Sequence, residues 1–434
     1  MKFISTEKKS PPVSFKEAVA SGLAPDGGLF VPERIPTLDK EILEKLPTLS
    51  FQEISFQMAK DFLSEDFSET EIRGIIERAM TFDVPLVHIK DNLSVLELFH
   101  GPTLAFKDFG ARFLGQVLSL ISKESAKETI VLVATSGDTG GAVASGLFNV
   151  PGVQVVILYP SGRVSELQER QLTTLGGNIT ALECEGSFDD CQRLVKQAFT
   201  DEELTKKLNL TSANSISVAR LIPQMFYYGW AVAMHRANSD KKLVMTVPSG
   251  NFGNLTAGLY AKRMGLEIEH FIAAVNANDV VPKYAEHGVF TPIDSIQTIS
   301  NAMDVGNPSN FSRLLALFPG SHEELRKEVS ATSVSDDDTL IEMQSVYKET
   351  GYILDPHTSV GTIAAKRFSG NFSNCEHIVL GTAHPGKFSE TVEKAIGTPY
   401  TPPEALTSLL MKEKKSLKIG KEFQTLKDVL LEKF

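Results

Sequence analysis

The sequence predicts an α/β protein whose parallel strands are covered by helices on both faces, and three observations carry that expectation. Short apolar, β-branched runs recur along the chain, each gives way to a glycine-rich loop, and each loop opens a segment of helical periodicity. TIVLVAT (129–135) passes through SGDTGG to AVASGLF, and VQVVILYP (153–160) through SGRV to SELQERQLTTLGG. KLVMTVP (242–248) passes through SGNFGN to LTAGLYAKRMG, and HIVLGTA (377–383) through HPGKF to SETVEKAIG. Runs this apolar suit strands buried on both faces. Ligands of such sheets bind beyond the carboxyl ends of the strands, which directs attention to the glycine-rich loops.

Ahead of this repetition, residues 1 to about 90 read as a separate small unit, with turn chemistry at LAPDGGLFVPERIP and helical spacing in FQEISFQMAKDFL and ETEIRGIIERAM. At the other end, the Pro-rich TPYTPPEAL precedes a basic run, KEKKSLK, which reads as a solvated C-terminal helix. The chain's 434 residues suffice for two or three domains. Its 43 Lys and Arg against 54 Asp and Glu give a net charge of −11, a field that repels nucleic acid and anionic lipid. Cys184, Cys191 and Cys375 make neither a disulfide framework nor, without a second CxxC or a His pair, a zinc site, so no metal is expected. MKFISTEKKSPPVSFKEA carries no signal-peptide core, and no apolar run reaches membrane-spanning length; the expected location is the cytoplasm.

Among the loops, SGNFGN (249–254) has the form of a phosphate cradle. Gly250 and Gly253 admit backbone conformations closed to other residues, so that successive amides converge on one anion, and the helix that follows adds its N-terminal dipole. A plain strand-to-helix turn is the alternative. In TSGDTGG (135–141) the hydroxyls of Thr135, Ser136 and Thr139 suit a carboxylate, whereas Asp138 would repel one and should face a cation, a hydroxyl or a protonated imine, or else cap the helix. GTAHPGKF (381–388) matches the nucleotide-binding pattern GxxxxGK until Phe388 replaces the Mg²⁺-holding hydroxyl, which argues against nucleotide hydrolysis. Lys107 stands between Phe106 and Asp108 at the start of a helix whose Phe109, Phe113 and Val117 share one face. Apolar surroundings lower a lysine's pKa and expose the neutral amine that forms Schiff bases; an ordinary surface cation is the alternative.

Taken together, the segment FHGPTLAFKDFGARFLG resembles the cofactor-lysine segment of the threonine synthase family, which uses pyridoxal 5'-phosphate. PDGGLFVPE (25–33), TSGDTGGA, ANSISVARLIPQMFYY (213–228), SGNFGNLTAG, DPHTSVG (355–361) and GTAHPGKF extend the resemblance over nearly the whole chain, in the order of the longer microbial and fungal branch. The resemblance implies the tryptophan synthase β-like fold, fold type II. It allots 1–90 to an N-terminal unit, 91–128 to the lysine segment of the large domain, 129–225 to a small α/β domain and 226–434 to the large domain and C-terminal region.

The same resemblance assigns roles. Lys107 would form the Schiff base; Gly250, Asn251, Phe252, Gly253 and Asn254 would hold the cofactor phosphate; and Thr382 would face the pyridine nitrogen. Asp138 would face the phenolic oxygen, a position where many relatives of the wider fold carry Asn and where a carboxylate needs a shared proton. Thr135, Ser136 and Thr139 would take the substrate carboxylate. Asn214, Ser215 and Ser217, at the N-terminus of an apolar-striped helix, with Arg220 one turn later, would bind the phosphate of O-phosphohomoserine, assisted by Lys387. The implied activity is conversion of that substrate to L-threonine and phosphate in a monomer or homodimer. A phospholyase of the same fold and a non-catalytic paralogue are the alternatives.

Overall fold

A computed structural model describes residues 1–434 apart from 125, 126, 136 and 320. Near the N-terminus β1 (Phe3–Ser5) and β2 (Phe30–Pro32) form an antiparallel ribbon. The helices expected at 51–63 and 69–80 are present as Phe51–Leu63 and Glu69–Ala79, started by Ser50 and Ser68, whose hydroxyls accept from the amides of Glu53 and Glu71. Along the chain follow β3 (Leu86–Lys90), β4 (Leu93–Glu97), β5 (Thr129–Ala134), β6 (Val153–Pro160), β7 (Ile179–Cys184) and β8 (Asn209–Ser212). Then come β9 (Lys242–Pro248), β10 (His270–Val275), β11 (Val329–Ser333), β12 (Cys375–Gly381) and β13 (Leu417–Ile419).

These strands build two sheets. A six-stranded sheet in the order β11-β10-β9-β12-β4-β3 is parallel except for β3, which pairs antiparallel with β4. A five-stranded sheet, β13-β7-β6-β5-β8, is parallel throughout. Every residue of β5, β7 and β10 is buried, as expected of strands sandwiched between helices.

At two places the sequence reading is corrected. The end of 226–434 does not stay with the six-stranded sheet: β13 pairs with β7, and helix Phe423–Lys433 buries Leu426 and Leu430 in the core of the five-stranded sheet. The basic run is likewise not a solvated helix, because Lys414 is drawn between Glu169 and Glu183 at 2.7 and 2.8 Å and the chain enters β13 extended. Second, the helix expected after Ser217 is interrupted. Val218–Leu221 is followed by a tighter turn, Ile222–Met225, before helix Phe226–Arg236, because Pro223 has no amide to continue the ladder.

The helix that opens with Lys107 (Lys107–Ser122) joins the two sheets. Its Phe109, Phe113 and Val117 are all fully buried. A Cβ on its Gly115 would stand 2.3 Å from the carbonyl oxygen of Gly146 in helix Asp138–Gly146, so these helices meet backbone to backbone. That contact sets Lys107, which follows a strand of one sheet, against the loop that follows β5 of the other.

Candidate active site

Five segments converge here, and each leaves the carboxyl end of a strand: 98–107 after β4, 137–138 after β5, 213–220 after β8, 249–254 after β9 and 382–387 after β12. Lys107 is fixed from below by the Phe106 amide, which donates to the carbonyl of Thr382 at 2.9 Å. Two non-glycine residues in left-handed backbone, Leu104 (φ 56°) and Phe252 (φ 60°), flank the site, a strain concentrated where function needs fixed geometry.

The electrostatics centre on Asp138. Its Oδ1 lies 2.7 Å from Lys387 Nζ and accepts from Gln168 Nε2 at 3.0 Å, while Oδ2 lies 4.0 Å from Lys107 Nζ. Lys387, whose side chain is 1% exposed, also donates to the Thr103 carbonyl and to Gln171 Oε1. Burial alone would raise the Asp138 pKa, but the Lys387 and Lys107 ammonium groups, with the hydrogen bonds from Lys387 and Gln168, hold it well below the carboxylate range. Burial pushes Lys107 below the usual lysine range; Asp138 opposes that push, while Lys387 and Arg220 add to it. The net direction is toward the neutral amine, the form that acts as a nucleophile and a base. A carboxylate held ionised in this way has no proton of its own to share, so a contact from Asp138 to a phenolic oxygen would draw its proton from a neighbouring cation such as Lys387.

The 249–254 loop differs from the expected cradle in one respect. Phe252 takes the left-handed conformation, while Gly250 and Gly253 lie outside it. Gly250 is required by close approach instead, since a Cβ there would stand 2.8 Å from Met303 Cα. Helix Gly253–Arg263 starts immediately, with first-turn amides that have no intrahelical acceptor. Asn254 Oδ1 accepts from the hydroxyls of Tyr227 and Tyr228 at 2.7 and 2.8 Å, and its buried Nδ2 has no partner among the described residues. Asn251 Oδ1 accepts from the amide and hydroxyl of Ser309. An anion-accepting helix start, a buried amide without a partner among the described residues and an imine-forming lysine together fit the phosphate and aldehyde of pyridoxal phosphate.

The remaining expected residues divide. Asn214 Oδ1, Ser217 Oγ and Arg220 Nε are buried and have no partner among the described residues, while Arg220 Nη1 donates to the Ala213 carbonyl at 2.5 Å. Burial lowers the Arg220 guanidinium to about 10, with Asp108 opposing. Ser215 Oγ lies 3.4 Å from Ser309 Oγ. Thr382 is buried beside Lys107's loop, and Thr139 is part-buried. Thr135 spends its hydroxyl on the loop itself, donating to the Gly137 carbonyl at 3.1 Å and accepting from the amides of Gly137 and Gly140, which leaves it no donor for a substrate carboxylate. Ser136 lies outside the described residues.

Further participants, from three other places in the chain, were not anticipated. Gln168 and Gln171, one helical turn apart in Glu166–Thr173, are joined to the site only by folding. His357 accepts at Nε2 from the Ala302 amide at 3.1 Å while Nδ1 faces Asp355 at 2.8 Å, which steadies the 302–303 wall against Gly250. The DPHTSVG motif holds these two residues, but nothing in its spacing names what they brace. Asp108 turns into the 100–104 loop, accepting from the amide and hydroxyl of Thr103 at 2.8 and 2.7 Å.

Burial lifts Asp108 from an ordinary 3.8 to about 6, against the hydrogen bonds from Thr103. Between those values the folded protein keeps a proton that the unfolded chain has released, so this group's stability contribution is complete below about pH 4 and falls as pH rises to about 6. The fall is on the order of 2–3 kcal/mol. Asp108→Asn, which can accept from the Thr103 amide and donate to the Thr103 hydroxyl, is expected to gain that amount over the parent at about pH 7 and nothing at about pH 4 in urea unfolding. A difference independent of pH would contradict the assignment.

Among known proteins, residues 85–381 match the family described as pyridoxal-phosphate dependent enzyme. Fold and site therefore define a fold type II pyridoxal phosphate enzyme. Residues 2–80 match the threonine synthase N terminus and residues 358–430 the threonine synthase C-terminal region. The chain is 43% identical over 438 residues to a threonine synthase of Buchnera aphidicola subsp. Baizongia pistaciae, covering 100% of both. Threonine synthase from Escherichia coli superposes with a TM-score of 0.92 at 40% identity, covering 100% of both chains. Pyridoxal-phosphate-bound threonine synthase from Brucella melitensis superposes at 0.93 with 35% identity, covering 99% of this chain and 98% of that one. The chain belongs to the threonine synthase family, pyridoxal-phosphate-dependent lyases of amino-acid biosynthesis.

Proposed function

We propose that the chain converts O-phospho-L-homoserine and water to L-threonine and inorganic phosphate. The observation that carries the substrate is a pair of buried donors without a partner among the described residues, Ser217 Oγ and Arg220 Nε, beside Asn214, whose side-chain NH2 can add a further donor to a dianion. Pyridoxal phosphate, when bound, supplies an electron sink for charge developing beside the substrate's amino group. Lys107 would hold it covalently, Gly250 to Asn254 its phosphate, and Thr382 its pyridine nitrogen. Once released, the neutral Lys107 amine would take the α-proton, pass it on to the bound cofactor and, neutral again, take a β-proton, so that the γ-carbon to oxygen bond breaks and phosphate leaves with the electron pair. The same amine would return the β-proton to the γ-carbon, water would add its hydroxyl at the β-carbon and give its proton to the departed phosphate, and the amine would return the proton it passed on to the α-carbon; its tether beside one face makes one base sufficient. Asn214, Ser215, Ser217 and Arg220 orient the leaving phosphate, and Thr139 with Ser136 the substrate carboxylate.

The three cysteines are free and buried, and among the described residues no helix is long and apolar enough to cross a membrane; both fit a cytoplasmic enzyme. The test is product analysis of the cofactor-loaded protein supplied with O-phosphohomoserine. Threonine and phosphate in equal amounts are expected. 2-Oxobutyrate with phosphate would make it a lyase that releases its unsaturated intermediate before hydration, and no phosphate would remove the substrate assignment.

A further inference from the structure

Arg313, in helix Phe311–Leu317, is fully buried and spends all five of its N–H donors. Nε and Nη2 donate to the Phe30 carbonyl at 3.0 and 2.9 Å, and Nη2 donates also to the Ile216 carbonyl at 2.6 Å. Nη1 donates to the Ser215 carbonyl at 3.3 Å and to Asn310 Oδ1 at 2.8 Å. Every acceptor is a neutral oxygen. A buried guanidinium without a carboxylate is an expensive arrangement, since desolvation is offset only by dipoles. Burial brings Arg313 down to about 10, which still leaves it charged at neutral pH.

The four acceptors belong to three separate parts of the molecule. Phe30 is the first residue of β2 in the N-terminal ribbon, Ser215 and Ile216 lie in the segment that follows β8, and Asn310 donates its amide to the Asn251 carbonyl at 3.3 Å beside the 249–254 loop. In a trans peptide the N–H opposes the C=O, so carbonyls turned onto Arg313 leave the Ile216 amide facing away from it. Arg220 contacts the other end of the same segment at Ala213, also through a carbonyl. The segment is thus gripped by two buried guanidiniums that bond only neutral oxygens there, and a bound dianion is the counter-charge they call for.

We infer that Arg313 is a positioning residue of the substrate's phosphate subsite: it fixes the backbone of Ser215 and Ile216, supplies uncompensated positive charge behind them, and makes the N-terminal strand β2 part of the subsite's frame. This rests on the O-phosphohomoserine reading above. A role in general stability alone would weaken all ligands alike, whereas a role in the anion subsite weakens only those that carry phosphate.

Two variants separate these outcomes in the cofactor-loaded protein. Arg313→Lys keeps the charge but cannot serve four acceptors with three donors from one point. Asn310→Asp keeps the shape and places a carboxylate on Nη1, cancelling the charge; it decides the matter where Arg313→Lys fails to fold. Calorimetric titration with O-phosphohomoserine and with inorganic phosphate is expected to show affinities at least tenfold weaker in both variants, while L-threonine binds within twofold of the parent. Equal weakening of threonine and phosphate, or no weakening of phosphate, would overturn the inference. Failure of the parent protein to release phosphate from O-phosphohomoserine would instead sink the substrate reading, whatever the variants do with inorganic phosphate.

Discussion

Replacing Lys107 by alanine is expected to lower kcat on the order of 10⁴-fold, because one amine carries both covalent attachment and several proton transfers and no neighbour can substitute for it. Lys387 is the nearest other ammonium to the Asp138 carboxylate, but it is locked by Asp138, the Thr103 carbonyl and Gln171. A readout independent of turnover is available: borohydride reduction should fix the cofactor to the parent chain and leave it dialysable from Lys107→Ala. Retention of reduced cofactor by the variant would mean that another lysine forms the linkage.

The second large effect is expected from Lys387→Met. The side chain is 1% exposed and its partner Asp138 3%, so truncating the ammonium leaves a buried carboxylate with only Gln168 and the more distant Lys107. Removing one partner of such a pair costs about 3–5 kcal/mol, far more than the pair contributes over an apolar replacement of both. Lys387→Met with Asp138→Asn should therefore recover much of the loss of the single variant, a coupling that denaturant unfolding of all four proteins would measure. Activity should respond through a different channel. Lys387 helps to keep Lys107 below its ordinary range and Asp138 opposes this, so with Lys387 gone the Lys107 ammonium is favoured. The pH at which Lys107 reacts with an acylating reagent is expected to move upward in Lys387→Met; an unchanged profile would show that the two lysines do not communicate.

Much of the architecture could be read from local pattern. The four strand, loop and helix repeats are β5, β6, β9 and β12 with their helices, because a strand buried on both faces must be apolar at every position and the turn after it needs glycine or a helix-starting residue. The C-terminal basic run was misread for the complementary reason: a stretch of lysines looks solvated until Glu169 and Glu183, distant in sequence, are found beside Lys414. Thr135 was misread because a hydroxyl in a glycine-rich loop looks the same whether it faces a ligand or, as here, the loop's own amides.

What the sequence by itself determined is the chemistry on offer: a lysine at a helix start among aromatic residues, a glycine-rich loop ahead of a helix, and the Asn, Ser and Arg of ANSISVAR, each set by neighbours within a few residues. What only the tertiary structure decided is which charges meet. Asp138 and Lys387 are 2.7 Å apart yet arise from the ends of strands in different sheets, and Arg313 reaches Phe30, Ser215 and Ile216 across the molecule. Charges act through distance in space and through the loss of water around them, and neither quantity is written in the order of residues along a chain.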